Sequence, residues 1–142
     1  MFSEVYDIIR SKCSEVLTAH KELINPYALE DINKDDNLAK GFGVEISSSD
    51  VQELPMLCYA TRAISISVTR RLVQTNVATR IAKEKELIAD IYNLSKELKK
   101  LKQCSYITNI EVLGDDGISF IEDYKYITTK LNLTVTYQEY NL

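Results

Sequence analysis

The sequence Ile64-Ser65-Ile66-Ser67-Val68-Thr69 decides the fold, because apolar and hydroxyl side chains alternate along it without a break. Successive side chains of a β-strand point to opposite faces, so this pattern predicts one buried face and one wet face. The pattern lies inside residues 56–73, which form the clearest strand that the sequence predicts. A strand that is buried on one face only is typical of an antiparallel sheet.

The part of the chain before this strand predicts a helix, a strand and a loop. Residues 2–23 place apolar side chains three and four positions apart, which indicates a helix that ends before Asn25-Pro26. Residues 40–47 alternate apolar with small or polar side chains and predict a short strand. Residues 47–55 are predicted to be a loop.

The part of the chain after it predicts a second helix. Thr75 or Asn76 is a suitable cap for this helix, because a short polar side chain can accept a hydrogen bond from the first turn. Charged residues, Asp90 among them, are predicted to cover its outer face. Its predicted buried stripe consists of Val77, Ile81, Ile88, Ile91, Leu94, Leu98 and Leu101.

Two strands are predicted near the C-terminus. Residues 105–113 form the first, and residues 118–121 extend it beyond a bulge. Residues 124–140 alternate over a long run and form the second. The sequence Gly114-Asp115-Asp116-Gly117 is typical of a turn, so these strands are predicted to form an antiparallel hairpin.

Together these elements predict an α+β fold. We expect a mostly antiparallel four-stranded sheet with two main helices packed on it, in the order α-β-β-α-β-β. The length of 142 residues predicts a single domain over 1–142, and a content of 45% apolar and 27% charged residues is ordinary for a globular protein.

Charge and hydropathy argue against two classes of protein, those that bind nucleic acid and those that span or cross a membrane. A formal net charge of −4 argues against a nucleic-acid-binding surface, which is usually basic. No apolar run is long enough for a signal peptide or a membrane span, so we expect a protein that stays in the compartment where it is made and contacts no membrane. Cysteines 13, 58 and 104 are odd in number and widely spaced, which predicts free thiols.

No combination of residues in the sequence predicts catalysis or metal binding. His20 is the single histidine, and no nucleophile motif surrounds any serine or cysteine, so His20 is predicted to be structural or exposed. Zinc has no ligand set at a familiar spacing, and Asp115-Asp116 lacks the remaining ligands of a calcium loop. We therefore expect no catalytic residues, no cofactor and no metal.

The chain resembles the tail-terminator family of long-tailed bacteriophages, which includes proteins similar to the minor tail protein U. The likeness is one of architecture and covers nearly the whole chain. It is carried by the amphipathic start Phe2–Leu17, the long strand Tyr59–Val73, the single long helix Val77–Leu101, and the closing hairpin of Ile107–Leu113 with Tyr126–Tyr137. The chain departs from the family in stopping soon after its last strand, without a further C-terminal helix.

The resemblance implies a virion protein of the tail or neck, made in the host cytoplasm, that performs no catalysis. Such a protein forms a closed hexameric ring on the last ring of tail-tube protein, halts tube polymerisation and offers a surface to the head connector protein. DNA only passes through the lumen of the ring. The loops 26–40 and 47–55 would meet the tube or the head. The subunit interface is predicted at Arg80, Lys83, Tyr92, Tyr124 and Tyr126.

Two alternatives stay open at this point. The first is another neck component, such as a head-tail connector or a head-completion protein. The second is a small non-catalytic regulatory module that binds a ligand or a partner protein. Convergent polar groups in a pocket, or monomeric or dimeric behaviour, would favour the second.

Overall fold

A computed structural model describes residues 2–23, 40–53, 58–72, 76–101, 107–121 and 125–139. Its elements are α1 (Phe2–Val16), β1 (Lys21–Glu22), β2 (Lys40–Glu53), β3 (Cys58–Arg71), α2 (Val77–Lys99), β4 (Ile107–Asp115), β5 (Ser119–Ile121) and β6 (Tyr126–Glu139). Within these residues the strands form one sheet in the order β1-β2-β3-β6-β4, and β5 pairs with β6 next to β4. The described strand pairs are antiparallel except β1 with β2, which is parallel.

The predicted four-stranded sheet in the order α-β-β-α-β-β was wrong, because the described residues form a sheet of six strands with one parallel pair. The antiparallel pairing of β2 with β3 and of β4 with β6 agrees with the two predicted hairpins. The additional strands are β1, of two residues, and β5, of three residues. Strands this short cannot display the alternation by which a strand is recognised in a sequence.

Two element boundaries also differ from the prediction. Strand β2 continues to Glu53, although residues 47–55 were predicted to be a loop. Its pairing with β3 shifts register between Ile46 and Ser49, and an irregularity of this kind breaks the alternation that reveals a strand. Helix α1 ends at Val16, because the chain turns there and the backbone N–H of His20 donates to the Leu17 carbonyl.

The two helices pack on the same face of the sheet. Ile64, Ile66 and Val68 of β3 point to this face and lie in one hydrophobic cluster with the buried residues of both helices. The intervening residues Ser65, Ser67 and Thr69 point to the opposite face, as the alternation predicts. Among the described residues no helix covers that opposite face, and neither helix is long and apolar enough to cross a membrane.

Asn76 caps the N-terminus of α2, in agreement with one of the two predicted positions. Its side-chain oxygen accepts a hydrogen bond of 2.8 Å from the backbone N–H of Thr79. We expect Asn76→Ala to lower the free energy of unfolding by about 1 kcal/mol, because this N–H then loses its acceptor. Urea denaturation measures the change, and Asn76→Ser, which keeps an acceptor, is the control. Equal stabilities of the two variants would show that the cap contributes nothing.

Candidate functional site

A cluster of charged and polar side chains, most of them buried, joins β3 to α2 and to the turn after α1. Arg70 of β3 is 7% exposed and donates from Nε to Asp90 Oδ2 at 2.9 Å and from Nη1 to Glu86 Oε2 at 2.9 Å. His20, whose side chain is 4% exposed, places Nε2 at 3.3 Å from the same Asp90 oxygen. We call His20, Arg70, Glu86 and Asp90 the ion cluster.

The ion cluster differs from the sequence prediction at Asp90, which was expected on the outer face of α2. Asp90 is largely buried and accepts a hydrogen bond from the Arg70 guanidinium. Its assignment to the outer face was therefore wrong. One signal in the sequence indicates the cluster: Arg70 continues the buried register of Ile64, Ile66 and Val68. A cation in that register requires a buried anion, because an unpaired buried charge is very costly.

The electrostatics of the ion cluster favour a structural role. Burial alone would raise the pKa of Asp90, but the contacts with His20 and Arg70 outweigh it and hold that pKa below its ordinary value. A carboxyl group that is ionised and already engaged by a guanidinium is a weak general base at neutral pH. The cluster therefore ties α2 and the turn after α1 to β3.

The lowered pKa of Asp90 predicts a dependence of stability on pH. A carboxyl group with a depressed pKa in the folded state stabilises the protein above its unfolded pKa, about 3.9, and loses this effect as the pH falls through the folded pKa. We expect wild type to be more stable than Asp90→Asn at pH 6, and the difference to shrink below about pH 4. Urea unfolding at a series of pH values measures it, with the exposed Asp7→Asn as control. If the difference in stability between wild type and Asp90→Asn stays constant down to pH 2, the pKa of Asp90 does not account for it.

Within the described residues no group of three potential ligands is placed to hold a metal ion. Cys13 is buried in the core, and burial raises the pKa of its thiol to about 12. A thiol with that pKa is protonated at neutral pH, so it is a poor nucleophile. The other two cysteine side chains lie outside the described residues.

The predicted apolar stripe of α2 is divided between two faces of the helix. Ile91, Leu94, Leu98 and the unpredicted Leu87 are buried. The prediction was wrong for Val77, Ile81 and Ile88, which are exposed, as is the neighbouring Tyr92 at 68%. Positions 87 and 88 differ by one residue, or about 100° around the helix, so one stripe meets the core while the other faces solvent.

A shallow groove of about 350 Å³ lies beside the exposed stripe, between α2 and the strands β4 and β5. Ile88 and Ile91 form its helical wall, and Phe120 belongs to its opposite wall. Leu113, near the end of β4, is 59% exposed. We call the exposed stripe (Val77, Ile81, Ile88 and Tyr92) and this groove the α2 flank.

The predicted interface residues do not form one surface. Tyr92 is on the α2 flank, and Arg80 is exposed with Nε at 3.9 Å from Glu84 Oε1. Lys83 points towards the ion cluster, where Nζ lies 3.6 Å from Glu86 Oε2. Tyr126 pairs with Arg71 of β3 and Ile121 of β5, so it lies inside the sheet and not at an edge. Tyr124 lies outside the described residues.

The uncovered face of the sheet carries small hydroxyl and amide side chains that bond to one another across strands. Thr61 and Thr136 share a hydrogen bond of 3.0 Å, and Ser65 Oγ donates to Asn132 Oδ1 at 2.9 Å. Thr69 Oγ1 donates to Thr128 Oγ1 at 2.9 Å. These bonds satisfy many of the polar groups within the subunit, and an ion pair lies on the same face, with Lys130 Nζ at 3.3 Å from Glu45 Oε1.

The fold of the chain is similar to that of a chain in a solved particle described as "Virion of native gene transfer agent (GTA) particle". The two share a TM-score of 0.55 over 92% of each chain, with 14% of the residues identical. No protein-family model matches the sequence, and no curated protein matches it. At this identity the likeness establishes a shared fold, over nearly the whole length of both chains.

Proposed function

We propose that this chain is a structural component of a phage-like virion, and more narrowly the tail terminator. The observation that carries the proposal is the fold shared with a chain of the gene transfer agent virion over 92% of both lengths. A match over 92% of both chains is expected when two proteins have the same architecture.

The chemistry of the chain agrees with a role in assembly. Among the described residues no group of three potential ligands is placed to hold a metal ion, and the buried Arg70 and Asp90 are engaged with each other. We therefore propose that the protein performs no catalysis. In a ring around DNA, the net charge of −4 would repel phosphates and let the duplex slide.

The proposed assembly is a closed homohexamer at the head-proximal end of the tail. Its partners are other copies of the chain, the tail-tube protein and the head connector protein. A head-to-tail interface that closes on itself produces a ring, and a ring on the last tube layer stops further addition of tube subunits.

A tube-polymerisation assay tests the proposal. Purified chain is added to tail-tube protein from the same genome while tubes are growing, and tube length is measured by negative-stain microscopy. A terminator shortens the tubes and leaves a ring at one end. Unchanged tube length, with binding to the head connector, would instead favour another neck component. Unchanged length with no binding to either protein would contradict the assignment to the neck.

A further inference from the structure

The lining of the groove in the α2 flank includes a buried hydroxyl group, that of Thr129 of β6. Thr129 is 4% exposed, and it pairs with the buried Val68, so its side chain points to the helix face of the sheet. Among the residues that the structure describes, Oγ1 of Thr129 has no hydrogen-bond partner. A buried polar group without a partner lowers stability, so this hydroxyl group is unfavourable for the chain alone.

Apolar side chains form much of the wall of the groove. Ile88 and Ile91 line it from α2, and Ile118 and Phe120 line it from the side of β5. Ile88 is 59% exposed, so the wall is accessible from solvent. Ligand cavities usually measure about 300–1,000 Å³. The volume of about 350 Å³ is therefore large enough for the side chains of a short peptide segment.

The groove is negatively charged. Its described lining includes the carboxylates of Glu84 and Asp115 and no cationic side chain. Asp115 pairs with the buried Leu131, so its side chain also points to the helix face. One oxygen of Asp115 accepts a hydrogen bond from the backbone N–H of Gly117, and no cation in the described part of the chain pairs with it. Arg80 Nε lies 3.9 Å from Glu84 Oε1, and an exposed pair at this distance neutralises little of the charge.

The apolar surface continues beyond the groove. Val77, Ile81 and Tyr92 extend it along α2 in both directions from Ile88, and all of these side chains are exposed. Exposed apolar side chains that are concentrated in this way mark interaction surfaces. A surface longer than the groove suits a polypeptide better than a small molecule.

From these features we infer that the α2 flank binds a segment of another protein in which a large apolar side chain is next to a lysine or an arginine. The apolar side chain lies in the groove between Ile88 and Phe120, and Glu84 and Asp115 hold the cation. A backbone group of the segment forms a hydrogen bond with the hydroxyl of Thr129, which reaches the groove by rotation about χ1. Complementary charges give such a contact its specificity. The inference does not depend on the proposed ring.

A short model peptide tests the inference. The probe is acetyl-Ala-Leu-Arg-Ala-amide, and the readout is the methyl NMR signals of Ile88 and Ile118 in the full chain at its native mass. We expect saturable shifts of these two signals, while the signal of Ile9, in the core of α1, stays unchanged. Replacing the arginine of the peptide by glutamine is expected to weaken binding about threefold. Replacing its leucine by glycine is expected to weaken binding at least about tenfold, because the groove then buries little apolar area.

Two variants remove the carboxylates of the groove one at a time. Glu84→Gln and Asp115→Asn keep the size of each side chain and are each expected to weaken binding of the arginine peptide about threefold. Neither is expected to change binding of the glutamine peptide. Glu111→Gln is the matched control, because Glu111 is exposed on β4 and pairs with Thr134 on the uncovered face. It is expected to leave the binding of both peptides unchanged.

A third variant tests the hydroxyl group. Thr129→Val removes it and keeps the shape of the side chain, so we expect a higher urea midpoint for the unliganded chain and weaker binding of the arginine peptide. Thr128→Val is the matched control. The hydroxyl of Thr128 accepts from Thr69 and donates to the carbonyl of Val68, so its removal is expected to lower the urea midpoint. A lower midpoint for Thr129→Val with unchanged binding would exclude this hydroxyl group from the site.

The other outcomes overturn the inference in different ways. Equal binding of the arginine and glutamine peptides would show that the carboxylates do not select the partner. If the signals of Ile88 and Ile118 show no saturable shift, or Ile9 shifts equally, the groove is not the binding site. Shifts of Ile88 and Ile118 that appear with rising protein concentration, without any peptide, would show that a second copy of the chain occupies the groove.

Discussion

Arg70→Met is expected to lower the free energy of unfolding by about 3 kcal/mol or more. The substitution removes the cation that Asp90 and Glu86 share at distances of 2.8–2.9 Å. Asp90 then remains a largely buried carboxylate without its guanidinium, and removing one partner of a buried ion pair typically costs 3–5 kcal/mol. Glu86 is nearly half exposed, so its carboxylate can be solvated by water in the variant. It therefore adds little to the loss of stability.

Urea denaturation measures the effect, and a double-mutant cycle isolates its cause. Asp90→Leu combined with Arg70→Met leaves neither of these two charges in the interior. The double variant is therefore expected to be less destabilised than the sum of the two single variants. Additive effects, or a loss below about 1 kcal/mol for Arg70→Met, would show that the ion cluster does not hold α2 to the sheet.

Leu133→Ala is expected to cost about 2–5 kcal/mol, the usual range for deleting a buried leucine side chain. Leu133 is 1% exposed and points from β6 into the layer between the sheet and the helices. The neighbouring Thr134 points to the uncovered face, so Thr134→Ala is the matched control, with an expected cost below about 1 kcal/mol. Thermal and urea unfolding of the two variants test the two faces of β6 directly. Similar losses at both positions would contradict the assignment of one face to the core.

The long elements could be predicted from the sequence because each has an unambiguous period. Strand β3 alternates over Ile64–Thr69, and the long helix has a cap at Asn76 and apolar residues at helical spacing. In β3 a single physical requirement, burial of one face, determines the pattern. In α2 the spacing indicates a helix but not which of its two apolar stripes is buried. The ends of these two elements lie within two residues of their predicted ends.

Short or irregular elements could not be predicted, because their sequences show no periodic alternation of apolar and polar residues. Lys21 and Glu22 join the sheet through the backbone alone and are exposed. The shift of register after Ile46 concealed the second half of β2. The predicted sheet therefore had too few strands and an incomplete topology.

The arrangement of the candidate residues could not be predicted from the sequence. Tyr92 is exposed as an interface residue requires, whereas Tyr126 lies between two strands and Lys83 points towards the ion cluster. The buried and the exposed apolar stripes of the helix are separated by about 100° around its axis. Periodicity alone does not show which of the two stripes faces the core. The partnership of Arg70 with Asp90 joins residues 20 positions apart and arises only from packing.

The native mass of the wild-type chain tests the central claim most directly. Light scattering over a range of concentrations and salt is expected to give about 97 kDa, six subunits of 16.2 kDa, with a central hole visible by microscopy. A single subunit of 16.2 kDa at every concentration, or a dimer unchanged by dilution, would contradict the ring.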